Sequence, residues 1–379
     1  VPPTPSLRGP ERAFLLGALF HGALDGERLR ALAEGGLEWA ALVAQADRLG
    51  LGAMVHDAIY ELGIAGAVPP EPLARLAAEA ARNAVQNALF ANVAARTQRT
   101  LAAAGIATLA LKGTAFAACA PAYQALRHQS DVDLLVEEGR ADEAHRLLVE
   151  AGYRLGDAVV DFEGNAFDAA TAEANLAHHL EQLLAPGGVT IELHFHLPGS
   201  RDPHALAPVW AGAVTYPGGI VAPSLDDQLG IVCDHTLGNH HGQVSILPRH
   251  VADVQTLLRL GASAERAAER YGPNVGASLA LVEETRKAIA APGLLQTRGA
   301  ELALAPWWMA GSRLGALLQA SGGAFINRFR VARKLGLATV FPSRSFMARR
   351  YRIEGRPVLI ALSYLWRPIG AVWNVLTGK

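Results

Sequence analysis

Residues 108–136 read T-L-A-L-K-G-T-A-F-A-A-C-A-P-A-Y-Q-A-L-R-H-Q-S-D-V-D-L-L-V, and this stretch decides the fold. An apolar run over 107–111 meets Lys112-Gly113, and a small-residue helix over 114–120 stops at Pro121. A second apolar run starts at Ser130-Asp131-Val132-Asp133 and continues as Leu134-Leu135-Val136. Strand side chains alternate, so Asp131 and Asp133 point one way while Val132 and Leu134 point the other. Two carboxylates beside an apolar sheet repel each other, a cost that a cation between them removes. Oxygen ligands suit Mg²⁺, which takes one or two protein carboxylates and leaves its other positions to water and phosphate. The stretch therefore predicts a site for phosphoryl or nucleotidyl chemistry. A solvated strand end is the alternative reading of the two aspartates.

Downstream, a helix is predicted over 141–151 and a short strand over 153–155. The segment 162–171 has no clear pattern, and 172–184 reads as a helix or an extended stretch before Pro186-Gly187-Gly188. Residues 189–197, V-T-I-E-L-H-F-H-L, alternate cleanly: Glu192, His194 and His196 share one face, Ile191, Leu193, Phe195 and Leu197 the other. Upstream, apolar spacing predicts helices over 11–24, 36–49 and 52–62, then a long helix over 73–104 stopped by Gly105. After the strands the chain turns helical again. Ser224-Leu225-Asp226-Asp227 is a variant capping box opening a helix through 237, residues 238–242 form a loop, and helices follow over 249–260 and within 262–291. Strands mixed with helices through short antiparallel connections predict an α+β fold. A small mixed β-sheet core would be flanked by N-terminal and C-terminal α-helical domains. The expected units are 1–104 (helical), 105–220 (sheet core), 221–322 (helical) and 323–379 (a basic, aromatic tail).

At 379 residues, 51% hydrophobic and 18% charged, the chain has a large core and is not disordered. No internal repeat and no Walker or Rossmann glycine loop is visible. Its two cysteines, Cys119 and Cys233, offer neither a disulfide framework nor zinc-ligand spacing, and the first ten residues lack the basic and apolar regions of a signal peptide. A cytoplasmic setting is expected. Of 34 bases and 35 acids, the stretch 323–379 takes eleven bases and one acid, Glu354, which leaves the body acidic. Such asymmetry points to an anionic partner. Arg344, Arg349, Arg350, Arg352 and Arg356 precede an apolar run containing Tyr364, Trp366 and Trp373, interrupted by Arg367-Pro368. A charge in the middle of that run argues against a membrane span. It describes either an interfacial helix at the inner, anionic membrane face or a hairpin packed on the acidic body. Nucleic acid is not expected, because no sheet interleaves bases with aromatics.

Four spaced elements carry a family resemblance: Leu111-Lys112-Gly113, Arg127 ahead of Asp131 to Val136, Gly152-Tyr153, and Glu192-Leu193-His194. Together they resemble the DNA polymerase β-like nucleotidyltransferase superfamily, and within it an uncharacterised bacterial branch. The resemblance implies Asp131, Asp133 and Glu192 as metal ligands, with Glu192 also positioning or deprotonating the attacking hydroxyl. Lys112, Gly113, Arg127 and Ser130 would contact the donor; an ordinary ion pair with the aspartates is the alternative for Lys112 and Arg127. In-line displacement at phosphorus must neutralise charge on both entering and leaving oxygens, which explains the need for cations here. One departure is plain: the superfamily's Gly-Ser turn is Lys112-Gly113, so the donor and its binding mode stay open.

The histidines divide. His194 and His196 lie beside Glu192, and His178-His179 sit where the resembled branch also tends to carry His. They read as a general base, a phosphate donor or a zinc site, since E-x-H-x-H puts three ligands on one face. His194 is a candidate catalytic residue and His179 a candidate donor contact. His235, His240, His241 and His250 read as loop or structural histidines, although His235 and Asp253 could line a cleft from the helical side. The function expected is Mg²⁺-dependent transfer of a nucleotidyl group from a nucleoside triphosphate or nucleotide-activated donor. The acceptor would be a hydroxyl or phosphate on a small molecule, peptide, saccharide or protein. Two alternatives are sugar transfer from a nucleotide-activated donor, and a nucleotide-binding module without activity that docks on a membrane or acidic partner.

Overall fold

The alternating runs D-V-D-L-L-V and T-I-E-L-H build the centre of the molecule. The computed structural model describes residues 9–20, 25–155, 180, 182–197, 206–238 and 248–290. His178, His179, His240, His241, the segment 162–171 and the whole tail 323–379 lie outside the described residues. Strands β1 (Thr108–Ala110), β2 (Val132–Val136), β3 (Arg154–Leu155), β4 (Leu183–Leu184) and β5 (Thr190–His194) form a mixed sheet in the order β1-β2-β5-β4-β3. β2 and β5 run parallel, and the other neighbours are antiparallel.

The two faces of this sheet differ as alternation requires. Val132, Leu134, Val136, Ile191 and Leu193 enter one core cluster with Phe90, Val93, Ala94 and Leu101 and with Ala144 and Leu148. The first four of those partners belong to helix α5 (Pro70–Ala103), the last two to α8 (Ala141–Glu150). The opposite face carries Leu135 among Leu109, Leu111, Leu197, Leu206, Val209 and Ile231. That second cluster is smaller, and the polar residues of β2 and β5 sit beside it.

Helix α5 is the spine. Its 34 residues span about 51 Å at ~1.5 Å rise per residue. Leu76 near its start enters the helical core, while Phe90 to Leu101 cover the sheet. Gly105 ends it at φ +71°, a left-handed turn that glycine adopts without strain. Before α5 come α1 (Gly9–Gly17), α2 (Gly26–Glu34), α3 (Trp39–Leu49) and α4 (Gly52–Glu61). Of these α2 was not anticipated. Within it only Leu29 and Ala33 are buried, too weak an apolar stripe to stand out, although Asp25 caps it by accepting from Arg28 N at 3.3 Å.

Between the first two strands lie α6 (Lys112–Cys119) and α7 (Pro121–Leu126). Pro121, expected as a stop, also opens a new helix, because a proline is well tolerated in a first turn. After the sheet come α9 (Ala207–Ala211), a hairpin of β6 (Val214–Thr215) and β7 (Val221–Ala222), then α10 (Leu225–Gly238), α11 (Arg249–Arg259), α12 (Ala264–Tyr271) and α13 (Pro273–Ala290). Ser224 caps α10 as its sequence predicts, accepting from Asp227 N at 3.2 Å. Gln98 ties the hairpin to the sheet, donating to the Thr108 and Val221 carbonyls and accepting from Val221 N.

Helices before and after the sheet share one core. Phe14, Leu42, Met54 and Ile59 pack in the same cluster as Val251, Val254, Leu257 and Val275. The result is a mostly helical α+β fold with a five-stranded mixed sheet among the helices, the expected class. Among the described residues no helix is long and apolar enough to cross a membrane.

Candidate active site

Parallel pairing of β2 with β5 sets Asp133 directly beside Glu192, and Leu135 beside His194. Asp133 and Glu192 therefore project from one face of the sheet, with His194 one alternation further along. His194 Nε2 lies 2.7 Å from Asp133 Oδ1 and 3.5 Å from Glu192 Oε2. Gln182, just ahead of β4, donates to Glu192 Oε1 at 2.5 Å and fixes that carboxylate. Asp133 is nearly enclosed at 4% exposure, and its own N–H donates to Thr114 Oγ1 at 3.2 Å. Gln129 clamps the approach to β2 by donating to Thr114 Oγ1 and to the Asp131 carbonyl.

The Lys-Gly pair has a steric explanation. Lys112 starts α6 at φ +48°, a backbone region that costs a non-glycine residue free energy and is kept where the surroundings over-determine it. From there its Nζ donates to Asp133 Oδ1 at 2.7 Å. A Cβ on Gly113 would stand 2.6 Å from Arg127 Nη1 and 3.0 Å from Gln129 Cδ, so only glycine admits those side chains at full approach.

Arg127 has a different partner from the aspartates of β2. Its Nε donates to Asp253 Oδ1 at 2.7 Å and its Nη2 to Oδ2 at 3.0 Å, a two-pronged pair reaching α11. Tyr123 donates to the same Oδ1 at 2.7 Å, and the guanidinium stacks over Phe116. The Arg127 carbonyl accepts from Asn87 of α5 at 2.8 Å.

The electrostatics follow from burial and proximity. Burial would raise the Asp133 carboxyl, but the Lys112 ammonium and His194 outweigh it and hold that group well below the usual carboxylate range. Glu192 is likewise held low against burial, chiefly by His194. Asp131 goes the other way: burial, then repulsion from Asp133 and Glu192, push it up to about 7. His194 is raised, its bonds to the two carboxylates overcoming burial and the nearby Lys112 charge.

These groups open into a cavity of about 330 Å³. One wall is Lys112, Gly113, Ser130, Asp131, Asp133 and Glu192; the other is helical, with His235, Thr236, Arg249, His250 and Asp253. His235 and Asp253 thus line the cleft. Asp133, Glu192 and His194 each offer a ligand atom within 4.8 Å of the others, a group that could hold a metal ion. Two anionic oxygens beside a third carboxyl, raised by burial and then by their field, suit a divalent cation.

One expectation about the histidines needs correction. His196 does not join Glu192 and His194: the chain bends at Phe195-His196, alternation ends with β5, and His196 Nε2 lies 3.3 Å from Glu138 Oε1 instead. The three-residue E-x-H-x-H ligand set is therefore not formed. Arg249 was not anticipated at all. Its sequence signal is only an i,i+4 spacing from Asp253, which reads as an ordinary surface pair.

No curated protein matches the chain. The sequence pattern of a family described as an uncharacterised nucleotidyltransferase matches residues 35–270. That span covers more than half of the chain and includes β1 to β5 with their carboxylates, Lys112-Gly113 and the α10–α11 wall of the cavity. The chain accordingly belongs to this family of nucleotidyltransferases.

Proposed function

We propose that the protein is a Mg²⁺-dependent transferase that moves a nucleotidyl group from a nucleotide donor to a hydroxyl or phosphate of its acceptor. The observation that supports this most is the in-register pairing of Asp133 with Glu192, beside Asp131, in one cavity. Asp131, Asp133 and Glu192 would hold the metal, which supplies charge neutralisation for oxygens at the reacting phosphorus.

The chain's own groups divide the remaining work. Lys112 and His194 keep Asp133 ionised. Glu192, oriented by Gln182, accepts the acceptor's proton. The acceptor oxygen then forms a bond to the α-phosphorus, the bond to the bridging oxygen breaks, and pyrophosphate leaves. Ser130 and Gly113 line the donor's path. Arg127 sits at the same wall, and its grip on Asp253 sets the position of α11 against the sheet.

The test is pyrophosphate release by the purified full chain with Mg²⁺, each nucleoside triphosphate and a pool of hydroxyl-bearing acceptors. Asp131→Asn removes one ligand charge at constant shape and should abolish release with the fold intact. Undiminished release in that variant would refute the carboxylate site. Release of a nucleoside diphosphate from sugar nucleotides instead would move the assignment to sugar transfer.

A further inference from the structure

Of the three bases that line the cavity, two are tied directly to a carboxylate and the third, Arg249, is not. Lys112 is 2.7 Å from Asp133, and Arg127 is spent on both oxygens of Asp253. Arg249 opens α11 and lines the same cavity, yet it has no ion pair and no hydrogen bond to any group among the described residues. Asp253, one turn further along α11, cannot serve it well, because Arg127 and Tyr123 already occupy its oxygens. Burial and repulsion from Arg127 weigh against the Arg249 charge, while Asp253 and Asp131 favour it more weakly. A guanidinium cannot shed its proton to escape this cost, so an arginine in a cavity wall with no ion pair among the described residues is placed to take an anion.

The kind of anion follows from the opposite wall. Asp131, Asp133 and Glu192 form a metal-binding end that accepts phosphate only through a cation. An anion of linked phosphates can serve both ends, one part at the carboxylates through a cation and another at Arg249. The planar fork of arginine matches phosphate oxygens two at a time.

We propose that Arg249 is the cation that binds the terminal phosphates of a nucleoside triphosphate donor and holds the pyrophosphate as it leaves. The donor's identity rests on the transferase reading above; binding of a polyphosphate by Arg249 does not. The fork comes from the helical wall and not from the Lys-Gly turn, so a chain lacking the superfamily's Gly-Ser turn still has a polyphosphate site.

The experiment is calorimetric titration of the full chain, with Mg²⁺ present, using three probes: inorganic tripolyphosphate, ATP and AMP. Wild type is compared with Arg249→Gln and Arg249→Lys. Losing one charge-assisted contact predicts about tenfold to a hundredfold weaker tripolyphosphate and ATP binding in Arg249→Gln, with AMP within about twofold. Arg249→Lys should fall between. Thermal unfolding of Arg249→Gln should match or exceed wild type, since Arg249 makes no ion pair among the described residues. Unchanged tripolyphosphate affinity, an equal loss for AMP and ATP, or a lowered melting temperature would each overturn the assignment. If the wild type binds tripolyphosphate through Arg249 but neither nucleotide, Arg249 stands and the transferase reading falls. If ATP binds equally in all three proteins and pyrophosphate is released, the transferase reading stands and Arg249 falls.

Discussion

Removing Asp253 should cost more than removing any single apolar contact at the sheet–helix junction. The pair it makes with Arg127 is buried on both sides, with side-chain exposures of 10% and 5%. Both oxygens of Asp253 are engaged, and Tyr123 adds a third hydrogen bond. Breaking a buried pair from one side typically costs about 3–5 kcal/mol, because the remaining charge is left without compensation. Asp253→Asn should therefore lower the unfolding free energy, read from urea denaturation, by about that amount. The partner substitution should behave differently with pH. Arg127→Met leaves a buried carboxylate, which can discharge itself by taking up a proton, so its deficit should shrink as pH falls. Asp253→Asn leaves a guanidinium that cannot do the same, so its deficit should not shrink. Combining Arg127→Met with Asp253→Leu should recover most of the loss, as buried pairs replaced by apolar groups often do. The reasoning fails if Asp253→Asn costs under about 1 kcal/mol, the scale of an exposed pair. It also fails if Arg127→Met weakens ATP binding while stability is untouched, because Arg127 would then be a donor ligand and not a brace.

His250 supplies a pH-dependent prediction of its own: burial holds its imidazole down, to about 4 from 6.5, where it bonds Thr236 and Ser278 as the neutral ring. A histidine with a depressed value stabilises the fold fully above pH 6.5 and loses that contribution as pH falls towards 4, on the order of 3 kcal/mol in all; urea midpoints between pH 7 and 5 should show this slope, and a His250→Gln variant with the same slope would refute it. Glu192→Gln should reduce turnover at least tenfold with ATP affinity within about twofold, as expected for a group that acts on the acceptor in the transition state; an equal loss of ATP affinity, seen by titration, would place Glu192 in donor binding instead. The eleven bases of 323–379 should hold the full chain on anionic liposomes at low salt and release it as screening rises, since each exposed base contributes roughly 1 kcal/mol at such a surface; co-sedimentation with and without residues 340–379 measures it, and full-length protein that ignores the liposomes at low salt would refute it.

Much of the carboxylate site was legible in the chain itself. D-V-D-L-L-V is readable because a strand's period of two leaves one assignment for each face, and the core clusters divide accordingly. The same period identified Glu192 and His194 on one face of β5. It failed two residues later, where a bend at Phe195-His196 carries His196 to Glu138. Periodicity says which way a side chain points only while the strand lasts. Helix α2 shows the complementary limit, since a nine-residue segment with two buried positions has too little pattern to read.

The chain by itself supplied the candidates: three carboxylates, a Lys-Gly turn and a histidine, brought out by local alternation and by the family resemblance. Only the tertiary structure decided which of them meet. The pairing of β2 with β5 joins Asp133 to His194 across 61 residues, and the Arg127–Asp253 pair closes a separation of 126. Nothing local specifies such pairs, because their partners are chosen by how the whole core packs and by the cost of leaving buried charges alone. For the same reason Arg127, which the family resemblance offered as a donor contact, is gripped by Asp253, and Arg249, which the sequence did not single out, lines the cavity.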